Sequence, residues 1–311
     1  MPQLLKPPAL RPGDGIRVLS LASPVQEEHL KKGCAELDRL GYKPLLDRER
    51  VLASDGFFAG PVEDRRRGLQ SALSDPAVRA IFCSRGGYGS TYLLDGLVNA
   101  LSSSPKILLG SSDITSLQLF FWKRFRWVTF YGPMVASNFD RGAGAPHGYD
   151  SASLMSALTE TKHGWTIKLE GKPLAEGTAE GVLLGGCLTL VESTLGTPWE
   201  IDTTGAIFVL EDRAMRPYQV DRALMHLKQA GKFRSVAGIV LGDFPDCDAR
   251  AGTESVEDVA RRVLTPLGVP IVWGAPIGHT SRAMLTLPLG VHAELATAGQ
   301  AALRILEPAC S

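Results

Sequence analysis

Through the first half of the chain, short apolar runs alternate with stretches whose apolar residues recur every three or four positions. Residues 15–22 (GIRVLSLA) form one such run, closed by Ser23-Pro24. Beyond it, Leu30, Cys34 and Leu37 fall at i, i+4 and i+7, which predicts an amphipathic helix ending at Gly41. The same spacing predicts a helix over 62–73, followed by a strand over 78–83 that runs into Gly86-Gly87. A strand over 106–109 and a helix from Asp113 to about residue 124 complete the series. Strands separated by helical patterns build βαβ units, so the expected class is α/β with a parallel sheet.

Between residues 137 and 163 the periodicity fades into RGAGAPHGYD and similar polar, glycine-rich sequence. The second half is richer in strands and less regular. Strands are expected over 181–184, 207–210, 238–241 and 270–273, and a helix over 217–230 carries Val220, Leu224 and Leu227 on one face. At roughly 150 residues per domain, a chain of 311 residues makes two domains. The expected division is an amino-terminal α/β domain over 1–140, a linker region over 141–165 and a β-rich domain over 166–311.

Composition narrows the function classes. Hydrophobic residues at 44% and charged residues at 21% exclude a disordered chain. Thirty-three basic residues against thirty-three acidic ones leave no net charge, which argues against a nucleic-acid binder. The opening MPQLLKPPALRPGDG lacks the apolar segment of a secretory signal, and no run approaches the roughly 20 apolar residues that span a bilayer. A soluble, cytoplasmic protein without a membrane partner is expected. Five widely spaced cysteines with no CxxC pair speak against a disulfide framework and a structural zinc site. No metal and no cofactor are expected. Thirty-three glycines and twenty prolines predict many tight loops, where sites are built.

The sharpest chemical signal is KILLGSSDITSLQLF. An apolar strand runs into Gly110, then two serines and an aspartate, then a helical pattern. A serine on such a turn stands at the carboxyl edge of the sheet, with the first helix amides aimed at its hydroxyl, as in a nucleophile elbow. Ile114 stands where the second glycine of G-x-S-x-G would be, and Ser111, Ser112 or Asp113 could equally be an N-cap. Taken alone, a turn of this kind is more often a cap. The loop Cys83-Ser84-Arg85-Gly86-Gly87-Tyr88-Gly89 also follows a strand. It suits a phosphate cradle, an oxyanion hole or simply a turn needing positive φ, and it matches neither phosphate-binding fingerprint.

A serine nucleophile needs a base. His29 lies among charges on an expected solvated helix face, His226 on the 217–230 helix, His147 and His163 in or beside the linker, and His292 in an apparent strand. His279 alone lies in a loop punctuated by glycine and proline after a strand, in WGAPIGHTSRAM, and is the best-placed base. Glu211, at the end of AIFVL, is a carboxylate able to orient it.

These residues sit in motifs that resemble the LD-carboxypeptidases, the murein tetrapeptide carboxypeptidase family of serine peptidases, over nearly the whole chain. The carrying motifs are PPALRPGDGIRV, SRGGYGS, GSSDITSL, YGPM, GVLLGGCLTLVESTLGTPWEID, LEDRAMRPYQVDRAL, GIVLGDF and GAPIGHTSRAMLTLPLG. Their order and spacing together are specific. The resemblance implies a flavodoxin-like amino-terminal domain carrying the nucleophile, Ser112, and a smaller β-rich domain carrying Glu211 and His279, with substrate in the cleft between them. It implies hydrolysis of the amide joining an L-centre diamino acid to terminal D-alanine in murein tetrapeptides. The oxyanion would rest on backbone amides of Asp113 and of the Gly86-Gly87 loop. A free carboxylate also needs a cation. Arg85, Arg213, Arg222 and Arg282 lie near the motifs, and Arg222 could instead pair with Asp221 or Glu211. A homodimer is implied as well.

Two segments depart from the family pattern: Gly185-Gly186-Cys187 has cysteine where asparagine is usual, and Tyr131-Gly132-Pro133-Met134 begins with tyrosine instead of histidine. Cys187 lies in no Cys/His motif and reads as a packed apolar group, not a nucleophile. Two competing readings remain. One is a microcin-C-type immunity peptidase that uses the same triad on peptidyl- or aminoacyl-nucleotides, and the other is a non-enzymatic, two-domain peptide-binding protein.

Overall fold

A computed structural model describes residues 3–97, 104–249 and 253–311. The chain divides into two compact units. The first comprises Met1–Thr161, Arg282–Pro288 and Ala309–Ser311, and the second Lys162–Ser281 and Leu289–Pro308.

In the first unit, β1 (Gly15–Leu19), α1 (Glu27–Arg39), β2 (Lys43–Leu45) and α2 (Arg48–Val51) are followed by α3 (Val62–Ser74) and β3 (Val78–Cys83). Next come α4 (Leu94–Leu97), β4 (Ile107–Gly110), α5 (Thr115–Phe125), β5 (Thr129–Tyr131) and α6 (Ser151–Thr159). In the second unit the order is β6 (Trp165–Lys168), β7 (Lys172–Ala175), β8 (Thr178–Cys187), α7 (Leu188–Ser193), β9 (Ala206–Glu211) and α8 (Pro217–Gln229). There follow β10 (Gly238–Gly242), α9 (Val256–Leu264) and β11 (Ile271–Ala275). The chain then forms β12 (Leu287–Leu289), β13 (His292–Ala296) and β14 (Ala302–Ile305).

The six-stranded sheet of the first unit runs β12-β5-β4-β3-β1-β2, with β2, β1, β3, β4 and β5 parallel. The strand order reverses direction at β1 and β3, and loops at the carboxyl ends of strands around such a point are where α/β sheets bind ligands. Every residue of β4 is buried, which is why it reads as an unbroken apolar run, and β3 is interrupted only by its one exposed residue, Arg79. The sheet of the second unit runs β6-β14-β13-β8-β9-β10-β11-β7. Its centre, β8 to β11, is parallel, and its flanks are antiparallel. The expected α/β class with a second, β-rich sheet is observed. No helix among the described residues is long and apolar enough to cross a membrane.

The expected linker over 141–165 is corrected. Residues up to 161 belong to the first unit, and α6 is capped by Asp150, which accepts from the Ser153 amide at 2.7 Å. Inside the glycine-rich stretch Tyr149 is fully buried, bridges to Ala143 and Met284, and donates its hydroxyl to Glu36 at 2.6 Å. A polar, glycine-rich composition hid one anchoring aromatic, so the segment reads as loose although it is pinned. Residues 282–288 and 309–311 also return to the first unit, which no contiguous division of the sequence anticipates.

Candidate active site

The first unit presents a strained serine. β4 ends at Gly110, Ser111 stays extended (φ −148°), and Ser112 takes φ 59°, in the left-handed region. For a residue with a Cβ, that conformation costs on the order of 1–2 kcal/mol. Ser111 occupies the N-cap position, yet its side chain makes no capping hydrogen bond. The turn therefore does not have the geometry of a simple cap. Ser112 is half-buried, and its amide donates to the hydroxyl oxygen of Tyr131 at 3.1 Å. Tyr131, noted in the sequence only as a departure, is thus a prop for the elbow. Its position at the end of β5, one strand over from β4, was the available signal.

The glycine loop closes over this serine. A Cβ placed on Gly86 would stand 2.8 Å from the Ser112 Cβ, 3.0 Å from its Oγ and 3.3 Å from the Asp113 amide nitrogen. Only glycine permits that approach. Gly87 (φ 108°) faces elsewhere, since a Cβ there would meet the Ser23 Oγ at 2.3 Å. Of the two glycines named from the sequence, Gly86 is the one against the hydroxyl. Arg85 is exposed, donates to the Pro24 carbonyl at 3.3 Å, and lines a polar pocket of about 290 Å³ with His29, Ser137 and Arg141.

The second unit presents a buried acid–base pair. Glu211, the last residue of β9, is fully buried. One of its carboxylate oxygens accepts from the His279 amide and pairs with the His279 Nδ1, both at 2.8 Å. Glycines make room for it. A Cβ on Gly242 would lie 2.6 Å from the Glu211 Cβ, and one on Gly278 (φ 59°) would lie 2.2 Å from its carboxyl carbon. Burial disfavours protonation of His279, but the charge and hydrogen bond of Glu211 outweigh it, and the imidazole pKa is raised above its ordinary value. The neighbouring Asp212 has other work. It accepts from the Thr189 amide at 2.8 Å, the Thr189 hydroxyl at 2.7 Å and the Arg213 amide at 2.8 Å, while burial pushes its own pKa up. Cys187 is buried and its pKa is driven well above the usual thiol value, first by desolvation and then by Glu211 and Asp212. Such a thiol stays protonated and is a poor nucleophile.

Two sequence expectations are corrected here. Asp221 is held by Arg262 at 3.1 Å, and Arg222, exposed on α8, instead lies over the Tyr218 ring at 5.5 Å. His29 is not on a wholly solvated face, because its Nδ1 pairs at 2.6 Å with Asp140, which is almost completely buried. Asp221 and His29 find partners distant in the chain, Arg262 and Asp140, which helical periodicity does not register, whereas Arg222 and Tyr218 are an i, i+4 pair on one helix.

Comparison with known proteins adds the family context. Residues 16–132 match the LD-carboxypeptidase N-terminal domain and residues 180–295 the LD-carboxypeptidase C-terminal domain. The chain is 36% identical over 304 residues to a probable murein peptide carboxypeptidase of Bacillus subtilis, covering 96% of this chain and 93% of that one. A crystal structure of muramoyltetrapeptide carboxypeptidase from Oxalobacter formigenes aligns with a TM-score of 0.81 at 29% identity, over 94% of this chain and 99% of that one. The microcin C7 self immunity protein MccF aligns with a TM-score of 0.86 at 24% identity, over 99% and 100%. At that identity the second likeness speaks for the fold alone.

Proposed function

The chain belongs to the LD-carboxypeptidase family, and on that premise we propose that it is a serine carboxypeptidase acting on murein tetrapeptides. It hydrolyses the amide between the L-centre of a diamino acid, lysine or meso-diaminopimelate, and the terminal D-alanine. Ser112 is the nucleophile, His279 the base and Glu211 the carboxylate that orients it. As the Ser112 Oγ attacks the carbonyl carbon, its proton passes to the His279 Nε2. Glu211 on Nδ1 fixes the tautomer that leaves Nε2 free for this task and stabilises the imidazolium that forms. The oxyanion accepts hydrogen bonds from the amide of Asp113 and from the Gly86 end of the glycine loop. Collapse breaks the C–N bond, and His279 returns the proton to the departing amine of D-alanine. Water, deprotonated by His279, then hydrolyses the acyl-Ser112 ester.

The observation that carries this reading is the left-handed Ser112 beneath Gly86. A strained residue persists where the surroundings over-determine it, and here what surrounds it is an amide-rich, side-chain-free space beside a hydroxyl. Arg85, beside Gly86 and at a polar pocket, is the supported choice for the terminal carboxylate, and Arg222 is the weaker one. The proposal includes a cytoplasmic homodimer, for which light scattering and cell fractionation are the checks. Mass spectrometry of a tetrapeptide incubated with the protein tests the reaction. Loss of one terminal alanine is expected. An intact tetrapeptide together with cleavage of an aminoacyl sulfamoyl-adenylate would transfer the assignment to the nucleotide-directed reading. Tight binding without cleavage of either would leave a peptide-binding protein.

A further inference from the structure

The glycine loop has few means of holding itself in place. Its first residues are anchored: the Ser84 amide donates to the Leu19 carbonyl at 2.8 Å, and the Ser84 and Ser20 hydroxyls lie 2.7 Å apart. The middle of the loop is Gly86-Gly87-Tyr88-Gly89, with positive φ at Gly87 and Gly89. On one side it is tied to Ser23, whose amide donates to the Gly86 carbonyl at 3.2 Å and whose hydroxyl accepts from the Tyr88 amide at 3.0 Å. Glycine carries no side chain to pack and loses the most conformational freedom on ordering. These bonds stop at Tyr88, so the Gly89–Ser90 end of the loop is fixed by other groups.

Two buried, charged side chains meet at that far end. The Asp113 carboxylate, 1% exposed, accepts from the Ser90 amide at 2.7 Å, and the Ser90 hydroxyl donates to the Asp113 carbonyl at 2.6 Å. The other Asp113 oxygen is buried without a hydrogen-bond partner. Arg65, 5% exposed on α3, donates to three carbonyls: Gly89 at 2.8 Å, Leu21 at 2.9 Å and Gly60 at 3.2 Å. Its guanidinium lies 5.1 Å from the Phe58 ring centroid, and a Cβ on Gly89 would collide with that ring at 2.6 Å. Burial lowers the Arg65 pKa and raises that of Asp113, and each charge partly relieves the other. Desolvating two charges is expensive, and a fold that needed only packing would fill the space with apolar groups.

We propose that Arg65 and the side chain of Asp113 are positioning residues that clamp the Gly89–Ser90 end of the glycine loop to the serine elbow and so hold the Gly86 amide in oxyanion-binding register with Ser112. Neither side chain touches substrate. Both act through backbone: Asp113 is the residue next to the nucleophile, and Arg65 ties Gly89 to the β1 and α3 loops. The inference rests on Ser112 being the nucleophile. Misplacing such a donor by about 1 Å costs on the order of a hundredfold in rate.

The test compares Arg65→Met, Arg65→Lys, Asp113→Asn and wild type in two assays. One is tetrapeptide cleavage, with kcat and KM resolved. The other is the rate at which a fluorophosphonate labels Ser112, with Ser112→Ala as blank. Asp113→Asn is nearly isosteric and covers the case in which Arg65→Met does not fold. The expected result is a kcat lower by about thirty- to a hundredfold in Arg65→Met, with KM within about threefold, a parallel loss in labelling rate and partial recovery in Arg65→Lys. Asp113→Asn should lose less, about tenfold, because its amide oxygen can still accept from Ser90. A folded Arg65→Met or Asp113→Asn that is less stable yet has wild-type kcat and labelling would overturn the clamp and leave Ser112 as nucleophile. A wild-type protein that neither cleaves nor is labelled at Ser112 would overturn both.

Discussion

The serine elbow and the glutamate–histidine pair solve the same problem with different physics. Ser112 carries no charge and is positioned by shape: a left-handed φ, a glycine pressed against it and a tyrosine hydroxyl beneath its amide. His279 is positioned by charge, through a fully buried carboxylate that takes both its amide and its ring nitrogen. The contrast teaches where each half is vulnerable. Steric intrusion or loss of one oxygen should disable the elbow without any pH signature. Neutralising Glu211 should leave the shape of its unit intact and move a titration.

The largest effect should separate the paired serines. Ser112→Ala removes the oxygen proposed to attack, so cleavage should fall by several orders of magnitude while folding and substrate binding survive. Ser111→Ala, its control, should cost no more than about tenfold through altered turn geometry. Steady-state kinetics on the tetrapeptide would reverse the elbow assignment if the two outcomes were exchanged.

Gly86→Ala comes next. Its methyl would press on Ser112 at 2.8 Å, so the loop must lift, and loss of an oxyanion donor costs on the order of a hundred- to a thousandfold in kcat. The pH dependence of what remains should match wild type, because no charge has changed. A shifted profile would show that the two halves are not separable in this way.

Glu211→Gln should lower kcat by on the order of a hundredfold and move the profile. In the proposed mechanism the base must be neutral to accept the proton from Ser112. With its pKa raised, wild-type activity should fall on the acid side at a pH above the ordinary histidine value of about 6.5. Glutamine removes the charge that sustains the shift and leaves burial, which acts the other way, so the acid limb should move to lower pH. An unmoved limb would take Glu211 out of the mechanism. Stability follows the same sign. The native pKa lies above the unfolded one, so the pair's contribution is complete below about pH 6.5 and disappears as pH rises through the raised native value. Denaturation midpoints of His279→Ala against wild type should accordingly differ more in acid than in base.

The smallest effect is expected from Tyr131→Phe. It removes one acceptor from the Ser112 amide and leaves the ring packing, for about 1 kcal/mol in stability and a loss in kcat of about tenfold or less. A loss as large as that of Gly86→Ala would mean that the hydroxyl and not the glycine sets the elbow.

What the amino-acid order determined by itself is local. Apolar runs, broken only by Arg79 in β3, marked β3, β4, β9 and β10 because strands buried on both faces leave no polar alternation. The 217–230 helix was legible from its periodicity, and α8 spans Pro217–Gln229, with its proline in the first turn. Ser112, Glu211 and His279 stood out because each lies at or just past the end of a strand in a distinctive motif. Three features only the tertiary structure decided: which glycine lies on the serine, which hydroxyl holds its amide, and which buried charges close the loop. They join Ser112 to Gly86 and Tyr131, and Arg65 to Gly89, across 19 to 26 positions of sequence and between different elements. A hydrogen-bond partner or a forbidden Cβ at that separation leaves no trace in periodicity or composition. It exists only once parallel strands have brought their carboxyl ends side by side. The return of residues 282–288 to the first unit has the same origin, since a sheet edge accepts a strand such as β12 by its free backbone groups wherever that strand falls in the chain, while 309–311 return through the backbone hydrogen bonds of Ser311 with Pro7 and Ala9.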